Sequence, residues 1–121
     1  GLFCPTDLLY DAIENKGRFD NPGSPIYQLL GCKPFENLDK AKMASATGNH
    51  QDDPPILILA GGADKQESRI HGKRMKAAYD KAGLEATFQV VEGAGHGGPQ
   101  YRDAKRKKLI LDMFAKQLRG E

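Results

Sequence analysis

The sequence predicts an α/β fold in which parallel strands are joined by crossover helices. Two segments carry this prediction: Ile-Leu-Ile-Leu-Ala-Gly-Gly-Ala-Asp at 56–64 and Phe-Gln-Val-Val-Glu-Gly-Ala-Gly-His-Gly at 88–97. Each is a run of strand-forming residues that ends in glycines, and the intervening residues 68–82 have helical periodicity. A strand, a helix and a strand in this order form a βαβ unit, which requires a right-handed crossover and a parallel sheet covered on both faces.

The first part of the chain predicts short helices and loops rather than strands. Helices are expected over 7–13, 25–30 and 38–44, separated by polar loops. Ser24 and the proline after it are typical of a helix N-terminus, and Gly31 is typical of a helix end. Asn37 is placed to cap the third helix. The loop over 45–55 finishes in two prolines, which exclude helix and favour an extended chain.

The rest of the chain predicts a βαβα unit. Residues 56–60 are an uninterrupted apolar run, which suits a strand buried on both faces, and 86–91 form the next strand. Helices are expected over 68–82, ending at Gly83, and over 102–118. Their apolar stripes comprise His71, Met75, Ala78, Tyr79 and Ala82 in the first helix and Ile110, Met113, Phe114 and Leu118 in the second.

One acidic and one basic side chain follow the two predicted strands, Asp64 after the first and His96 after the second. Position alone would make them loop residues among glycines. Because the carboxyl ends of parallel strands meet at one edge of a sheet, where ligands bind, the two side chains are expected to lie together. An Asp and a His so placed indicate the supporting part of a Ser-His-Asp system, in which Asp64 orients His96 and His96 is the general base.

The nucleophile of such a system is not evident in the sequence. The chain has three serines, Ser24, Ser45 and Ser68, and none lies in a Gly-x-Ser-x-Gly elbow. Two strands, with a further stub at 1–3, are also too few for a doubly wound domain. We therefore expect the 121 residues to be the C-terminal part of a larger sheet, and the exposed sheet edge to favour self-association.

Composition argues against several other classes of function. The 18 basic and 16 acidic residues give a formal charge of +2, and the basic run 105–108 lacks interleaved aromatic residues, so no nucleic-acid partner is expected. No apolar run is long enough for a membrane span. Cys4 and Cys32 are interpreted as buried thiols or as a disulfide pair. A metal site at His50 with its neighbouring aspartates is not favoured, because the spacing of structural sites is missing.

An ordered set of motifs resembles bacterial α/β-hydrolase esterases of the acetylxylan and feruloyl esterase type. Their positions are 5–9 (Pro-Thr-Asp-Leu-Leu), 24–31 (Ser-Pro-Ile-Tyr-Gln-Leu-Leu-Gly), 36–41 (Glu-Asn-Leu-Asp-Lys-Ala), 54–64, 81–83 (Lys-Ala-Gly) and 93–97 (Gly-Ala-Gly-His-Gly). The resemblance covers essentially the whole chain. Two departures affect the acid loop: Ala60-Gly61 stands where the family has His-Gly, and 65–67 replace a proline-rich loop.

The resemblance implies that the chain is the C-terminal part of an α/β-hydrolase fold and of a serine carboxylic-ester hydrolase. Residues 1–121 would be a single partial domain, with 7–53 a small helical cap-like insertion and 54–121 the βαβα unit that carries Asp64 and His96. The serine and the oxyanion hole would lie in upstream sequence. The implied substrate is a small-molecule or polysaccharide-linked ester, and no cofactor is needed. The resemblance is compatible with a secreted or periplasmic location, which the sequence itself leaves unknown.

Two functions from other classes stay open at this point. One is a non-catalytic binding or assembly module that retains the βαβ unit without a nucleophile. The other is a phosphate-binding doubly wound domain, since glycine-rich loops at 61–62 and 93–98 can surround a phosphate. These loops lack the Walker lysine pattern and the GxGxxG spacing.

Overall fold

A computed structural model describes residues 5–48, 52–65 and 68–120. The chain divides into two compact units, one formed by residues 5–49 and the other containing residues 50–121. Among the described residues, the first unit contains helices and turns but no strand, and both strands lie in the second. That the first is a cap-like insertion with the bounds 7–53 stays a prediction.

The helical unit contains three short helices, α1 (Leu8–Glu14), α2 (Pro25–Leu30) and α3 (Leu38–Met43). Each begins at a side-chain cap: Asp7 accepts from the backbone N–H of Tyr10, Ser24 from that of Tyr27, and Asn37 from that of Lys40. The helices pack around a small buried core of Ala12, Leu30 and Ala41. The predicted helices are confirmed, and two 3-10 turns not foreseen in the sequence follow α2 and α3, at Pro34–Glu36 and Ala46–Gly48.

The second unit is a βαβα unit with a two-stranded parallel sheet. Strand β1 (Ile56–Gly61) pairs in parallel with β2 (Ala86–Val91), and helix α4 (Ser68–Ala82) connects them. Helix α5 (Ala104–Arg119) follows a 3-10 turn at Pro99–Arg102. The pairing begins with Ile56 opposite Ala86 and ends with Gly61 opposite Val91, so both strands end at the same level. The prediction of adjacent parallel strands is confirmed.

Strand β1 is buried on both faces, as its apolar run predicts. Leu57 and Leu59 pack with Val91 and with residues of α5, whereas Ile58 packs with Met75 and Tyr79 of α4. Successive side chains of a strand point to opposite faces, so α4 covers one face of the sheet and α5 the other. The mixture of helix and parallel strand is that of a partial α/β fold.

The apolar stripes predicted for α4 and α5 agree only in part with the residues that are buried. In α4, His71, Met75 and Tyr79 are buried, but Ala82 is exposed, and Gly72 is buried against the Phe88 ring instead. The burial of Gly72 was not predicted. A pattern of apolar side chains does not show where a glycine, having no side chain, allows an aromatic ring to pack against the helix.

The predicted stripe of α5 was wrong at its C-terminal end. Ile110 and Met113 pack on the core, whereas Phe114 and Leu118 are exposed. In the described ranges the sheet has two strands, and the residues of α5 that pack on their core are Leu109, Ile110 and Met113. The helix also begins at Ala104 rather than at 102, because the Asp103 side chain accepts from the backbone N–H of Arg106 and caps it there.

An apolar groove of about 290 Å³ lies between β1 and α5. Its walls are Pro55, Ile56, Leu57, Leu59, Ile110, Met113 and Phe114. Within the described ranges, β1 pairs with β2 alone. Self-association through this edge stays a prediction.

Three predictions fall on residues outside the described ranges. They are the strand stub at 1–3, the pairing of Cys4 with Cys32, and the role of His50. No helix in the described ranges has both the length and the apolar character needed to cross a membrane.

The burial of β1 predicts a large effect of truncating Leu59, which is 1% exposed. Leu59→Ala should lower the free energy of unfolding by about 2–5 kcal/mol, because the change removes packed methyl groups and leaves a cavity. Urea denaturation followed by circular dichroism measures this loss. The matched control is Leu111→Ala at a residue that is 65% exposed. The control should change the free energy by less than about 0.5 kcal/mol, and equal losses in the two variants would contradict the packing described here.

Candidate active site

Two loops leave the sheet side by side at its carboxyl edge. The loop after β1 carries Asp64, and the loop after β2 carries His96. Because Gly61 and Val91 are partners at the ends of the two strands, both loops start from the same level. The topology therefore brings the acidic and the basic residue to one place, as the sequence predicts.

Backbone hydrogen bonds join the two loops directly. The N–H of Gly62 donates to the carbonyl of Val91 at 2.9 Å, and the N–H of Ala63 donates to the carbonyl of Ala94 at 2.9 Å. The distance between the loops is therefore set by main-chain atoms, which have far less freedom than long side chains.

The absence of a side chain at Gly61 allows this close approach. A Cβ atom there would collide with the carbonyl oxygens of Gly95 and Ala94 and would lie 2.9 Å from the Tyr101 hydroxyl. The second loop therefore passes over the backbone of the first at the residue where β1 ends. Glycine is required at 61 for this contact, and not for an unusual backbone angle.

The Asp64 carboxylate contacts the imidazole of His96. The distance between Asp64 Oδ2 and His96 Nδ1 is 3.0 Å, the length of a hydrogen bond. The Asp64 side chain is fully buried, whereas the His96 side chain is 43% exposed. A buried carboxylate thus holds one ring nitrogen of an imidazole that is open to solvent. When Nδ1–H donates to a carboxylate, Nε2 is the basic nitrogen of the neutral ring.

Ser68 is a second partner of the same carboxylate oxygen. Its hydroxyl donates to Asp64 Oδ2 at 2.6 Å, and the whole residue is 3% exposed. Such a bond to a charged acceptor is stronger than one between neutral groups and compensates for the burial of the charge. Ser68 is the first residue of α4, so the crossover helix contributes directly to the site.

Tyr101 supports the histidine loop from the 3-10 turn before α5. Its hydroxyl donates to the carbonyl of Gly95 at 3.1 Å, next to His96. Burial of the ring, and then the negative charge of Asp64, raise the pKa of Tyr101 above its usual 10.0. The phenol is therefore held in its neutral form, in which it can donate this hydrogen bond.

The sequence predicted Asp64 and His96 but missed their supports. Ser68 follows Asp64 by one helical turn, and this spacing at a helix start was the available signal. No pattern in the sequence marked Tyr101 or the close approach at Gly61.

Three other residues considered from the sequence lie in the described ranges and have structural roles. Ser24 caps α2, and Ser45 donates to the carbonyl of Ala41 at 2.7 Å. His71 is buried in α4, as expected of a packing residue. Across the described ranges, no group of three or more His, Cys, Asp or Glu residues could hold a metal ion.

The chain is similar to a solved carbohydrate esterase. That structure is a truncated form of carbohydrate esterase from gut microbiota, 34% identical in sequence, with a TM-score of 0.79. The similarity covers 96% of this chain but 40% of the other, so the chain spans less than half the length of that protein. No protein-family model and no curated protein match the sequence. The chain thus resembles part of a carbohydrate esterase in both sequence and fold.

The contact at Gly61 can be tested by adding one methyl group. Gly61→Ala should lower the free energy of unfolding by about 1–3 kcal/mol, because the loops must separate to admit a Cβ. Hydrogen exchange at the Ala63 amide, measured by NMR, should become faster in the same variant. Gly97→Ala is the matched control, since a Cβ there meets nothing within 4 Å. Unchanged exchange at Ala63 in Gly61→Ala would contradict the close approach.

The raised pKa of Tyr101 predicts a loss of stability at high pH. The folded protein keeps the phenolic proton to a higher pH than the unfolded chain, in which the pKa is 10.0. The contribution to stability is therefore present below that pH and is lost as the pH rises through the folded-state pKa. Between about pH 9 and about pH 11, urea denaturation should show a smaller fall for Tyr101→Phe than for the unchanged protein.

Tyr79→Phe provides a comparison for this measurement. Burial, followed by the charge of Asp53, raises the pKa of Tyr79 in the same direction. The variant should also reduce the fall in stability at high pH. If neither variant altered the dependence on pH, the assigned shifts would be wrong.

Proposed function

We propose that this chain is the C-terminal part of a serine carboxylic-ester hydrolase with the α/β-hydrolase fold. The observation that carries the proposal is the contact of 3.0 Å between buried Asp64 and solvent-accessible His96 at the carboxyl edge of two parallel strands. The similarity to a carbohydrate esterase supports the same reaction. The proposed substrate is an ester of a carbohydrate or a polysaccharide.

In the proposed reaction, a serine hydroxyl attacks the ester carbonyl and His96 Nε2 accepts its proton. The tetrahedral intermediate collapses, the carbon–oxygen bond of the ester breaks, and His96 returns the proton to the leaving alkoxide. His96 next accepts a proton from water as the water attacks the acyl-serine ester. On collapse it returns the proton to the serine oxygen, which releases the acid. Asp64 holds the Nδ1–H tautomer and stabilises the imidazolium that forms twice in the cycle.

The nucleophile and the oxyanion hole are assigned to sequence outside these 121 residues. Ser24 and Ser45 are bonded within the helical unit, and the Ser68 hydroxyl donates to Asp64. These roles leave none of the three as a good nucleophile. Coverage of only 40% of the similar esterase is consistent with a serine carried elsewhere in a longer protein.

The charge of the site favours an esterase over a phosphate-binding domain. The Asp64 carboxylate lies at the carboxyl edge of the sheet, and the exposed Glu92 belongs to the neighbouring loop. An anionic phosphate would be repelled by both groups. A neutral ester carries no charge that these groups would oppose.

The proposal predicts that the 121-residue chain alone has no turnover of short-chain nitrophenyl esters above background. The protein extended with its natural upstream coding sequence should hydrolyse these esters. In the extended protein, His96→Ala should lower kcat by about six orders of magnitude and Asp64→Asn by about four, as in other triads. Initial-rate kinetics with a chromogenic ester give both values.

Asp112→Asn is the matched control for Asp64→Asn, because Asp112 is exposed on α5 and pairs with Lys108. Its kcat should stay within about twofold of the unchanged protein, since surface pairs contribute little. Turnover by the isolated chain would overturn the assignment of the nucleophile. Full activity of His96→Ala in the extended protein would overturn the proposed mechanism.

A further inference from the structure

Two hydrogen-bond donors meet at one oxygen of Asp64. Ser68 Oγ lies 2.6 Å from Oδ2, and His96 Nδ1 lies 3.0 Å from the same atom. The contact of Ser68 is the shorter of the two, and its hydroxyl donates from the first residue of the crossover helix α4. The carboxylate therefore joins α4 to the imidazole through a single atom.

A hydrogen bond to one of its oxygens restricts the orientation of a carboxylate. The terminal torsion of an Asp side chain is broad, so either oxygen can turn towards a neighbour. Ser68 is 3% exposed and starts a helix of 15 residues, so its hydroxyl position is fixed by packing. Its bond to Oδ2 is compatible with the orientation in which that oxygen faces His96.

We propose that Ser68 is the positioning residue of the acid–base pair: its hydroxyl fixes Asp64 Oδ2 so that the carboxylate holds His96 in the Nδ1–H tautomer. This inference deepens the proposed function and rests on the pairing of Asp64 with His96. Ser68 acts through Asp64 and does not contact the reacting ester. The hydroxyl proton of Ser68 is donated to Asp64 Oδ2 and not to a base that would activate the oxygen, so Ser68 is not the nucleophile.

The tautomer of His96 is the property that this role controls. With Oδ2 fixed, the neutral ring keeps its proton on Nδ1 and its lone pair on Nε2. Without the Ser68 hydroxyl, Oδ2 loses the shorter of these two contacts, its hold on Nδ1–H weakens, and the Nε2–H form becomes more populated. A residue that only packed against α4 would change stability and leave the tautomer ratio as it was.

The test is NMR of the ring nitrogens in the 121-residue chain labelled with ¹⁵N-histidine. His96→Gln assigns the signals, and spectra are recorded at a pH where titration shows the ring to be neutral. Ser68→Ala should lower the ratio of Nδ1–H to Nε2–H by about fivefold, the effect of one ordinary hydrogen bond. Ser68→Thr keeps the hydroxyl and should restore most of the ratio.

Three further variants make the result decisive. Ser45→Ala removes another buried serine hydroxyl, in the helical unit, and should not change the ratio. Ser68→Cys keeps the shape with a weaker donor and should shift the ratio in the same direction as Ser68→Ala. If circular dichroism shows that Ser68→Ala is unfolded, the ratio in Ser68→Cys tests the positioning role in its place. Asp64→Asn should lower the ratio at least as far as Ser68→Ala.

If the ratio of Nδ1–H to Nε2–H is unchanged or higher in Ser68→Ala, the positioning role is overturned. If Ser68→Ala is unfolded, the same result in Ser68→Cys overturns it. If Asp64→Asn lowered the ratio in that case, the Asp64–His96 pair of the proposed function would stand without Ser68. If Asp64→Asn also left the ratio unchanged, the pair itself would fail, and the proposed function would lose its acid.

Discussion

The close passage of one loop over the backbone of Gly61 is the constraint on which the candidate site depends. The carbonyl oxygens of Ala94 and Gly95 occupy the space that a side chain would take, and backbone hydrogen bonds from Gly62 and Ala63 hold the loops at that distance. Asp64 and His96 follow these anchored positions within a few residues. The main chain thus brings the two residues within reach of each other, and side-chain contacts set the orientation of the pair. Ser68 contacts the carboxylate of Asp64, and Tyr101 contacts the backbone beside His96.

Much of the fold follows from local sequence, because the responsible interactions are local. The helix caps at Asp7, Ser24 and Asn37 satisfy backbone groups within the same turn, so their signal is in adjacent residues. The apolar run of β1 indicates burial on both faces, and this burial implies a parallel sheet with helices on each side. Asp64 and His96 follow from that topology, since parallel strands end at a common edge.

The features that the sequence did not predict depend on how two separate elements meet. The exposure of Phe114 and Leu118 depends on which turns of α5 lie against the core, and the apolar pattern of the helix does not show this. The bond from Ser68 to Asp64 depends on where α4 starts relative to a loop, and the approach at Gly61 depends on the path of a segment more than 30 residues away. The periodicity of a sequence describes a single helix or strand, whereas each of these features arises where two elements contact each other.

Strands β1 and β2 end side by side, with Gly61 paired to Val91, and this arrangement affects how the site can be inherited. Asp64, Ser68 and His96 all belong to one uninterrupted stretch, 56–96, whose internal pairing defines their relative positions. Recombination that exchanged this stretch between related genes would transfer the acid, its support and the base together. Crossovers elsewhere in the coding sequence would leave the trio intact. The proposed acid–base pair and Ser68 would then be inherited as one unit while the surrounding segments diversified.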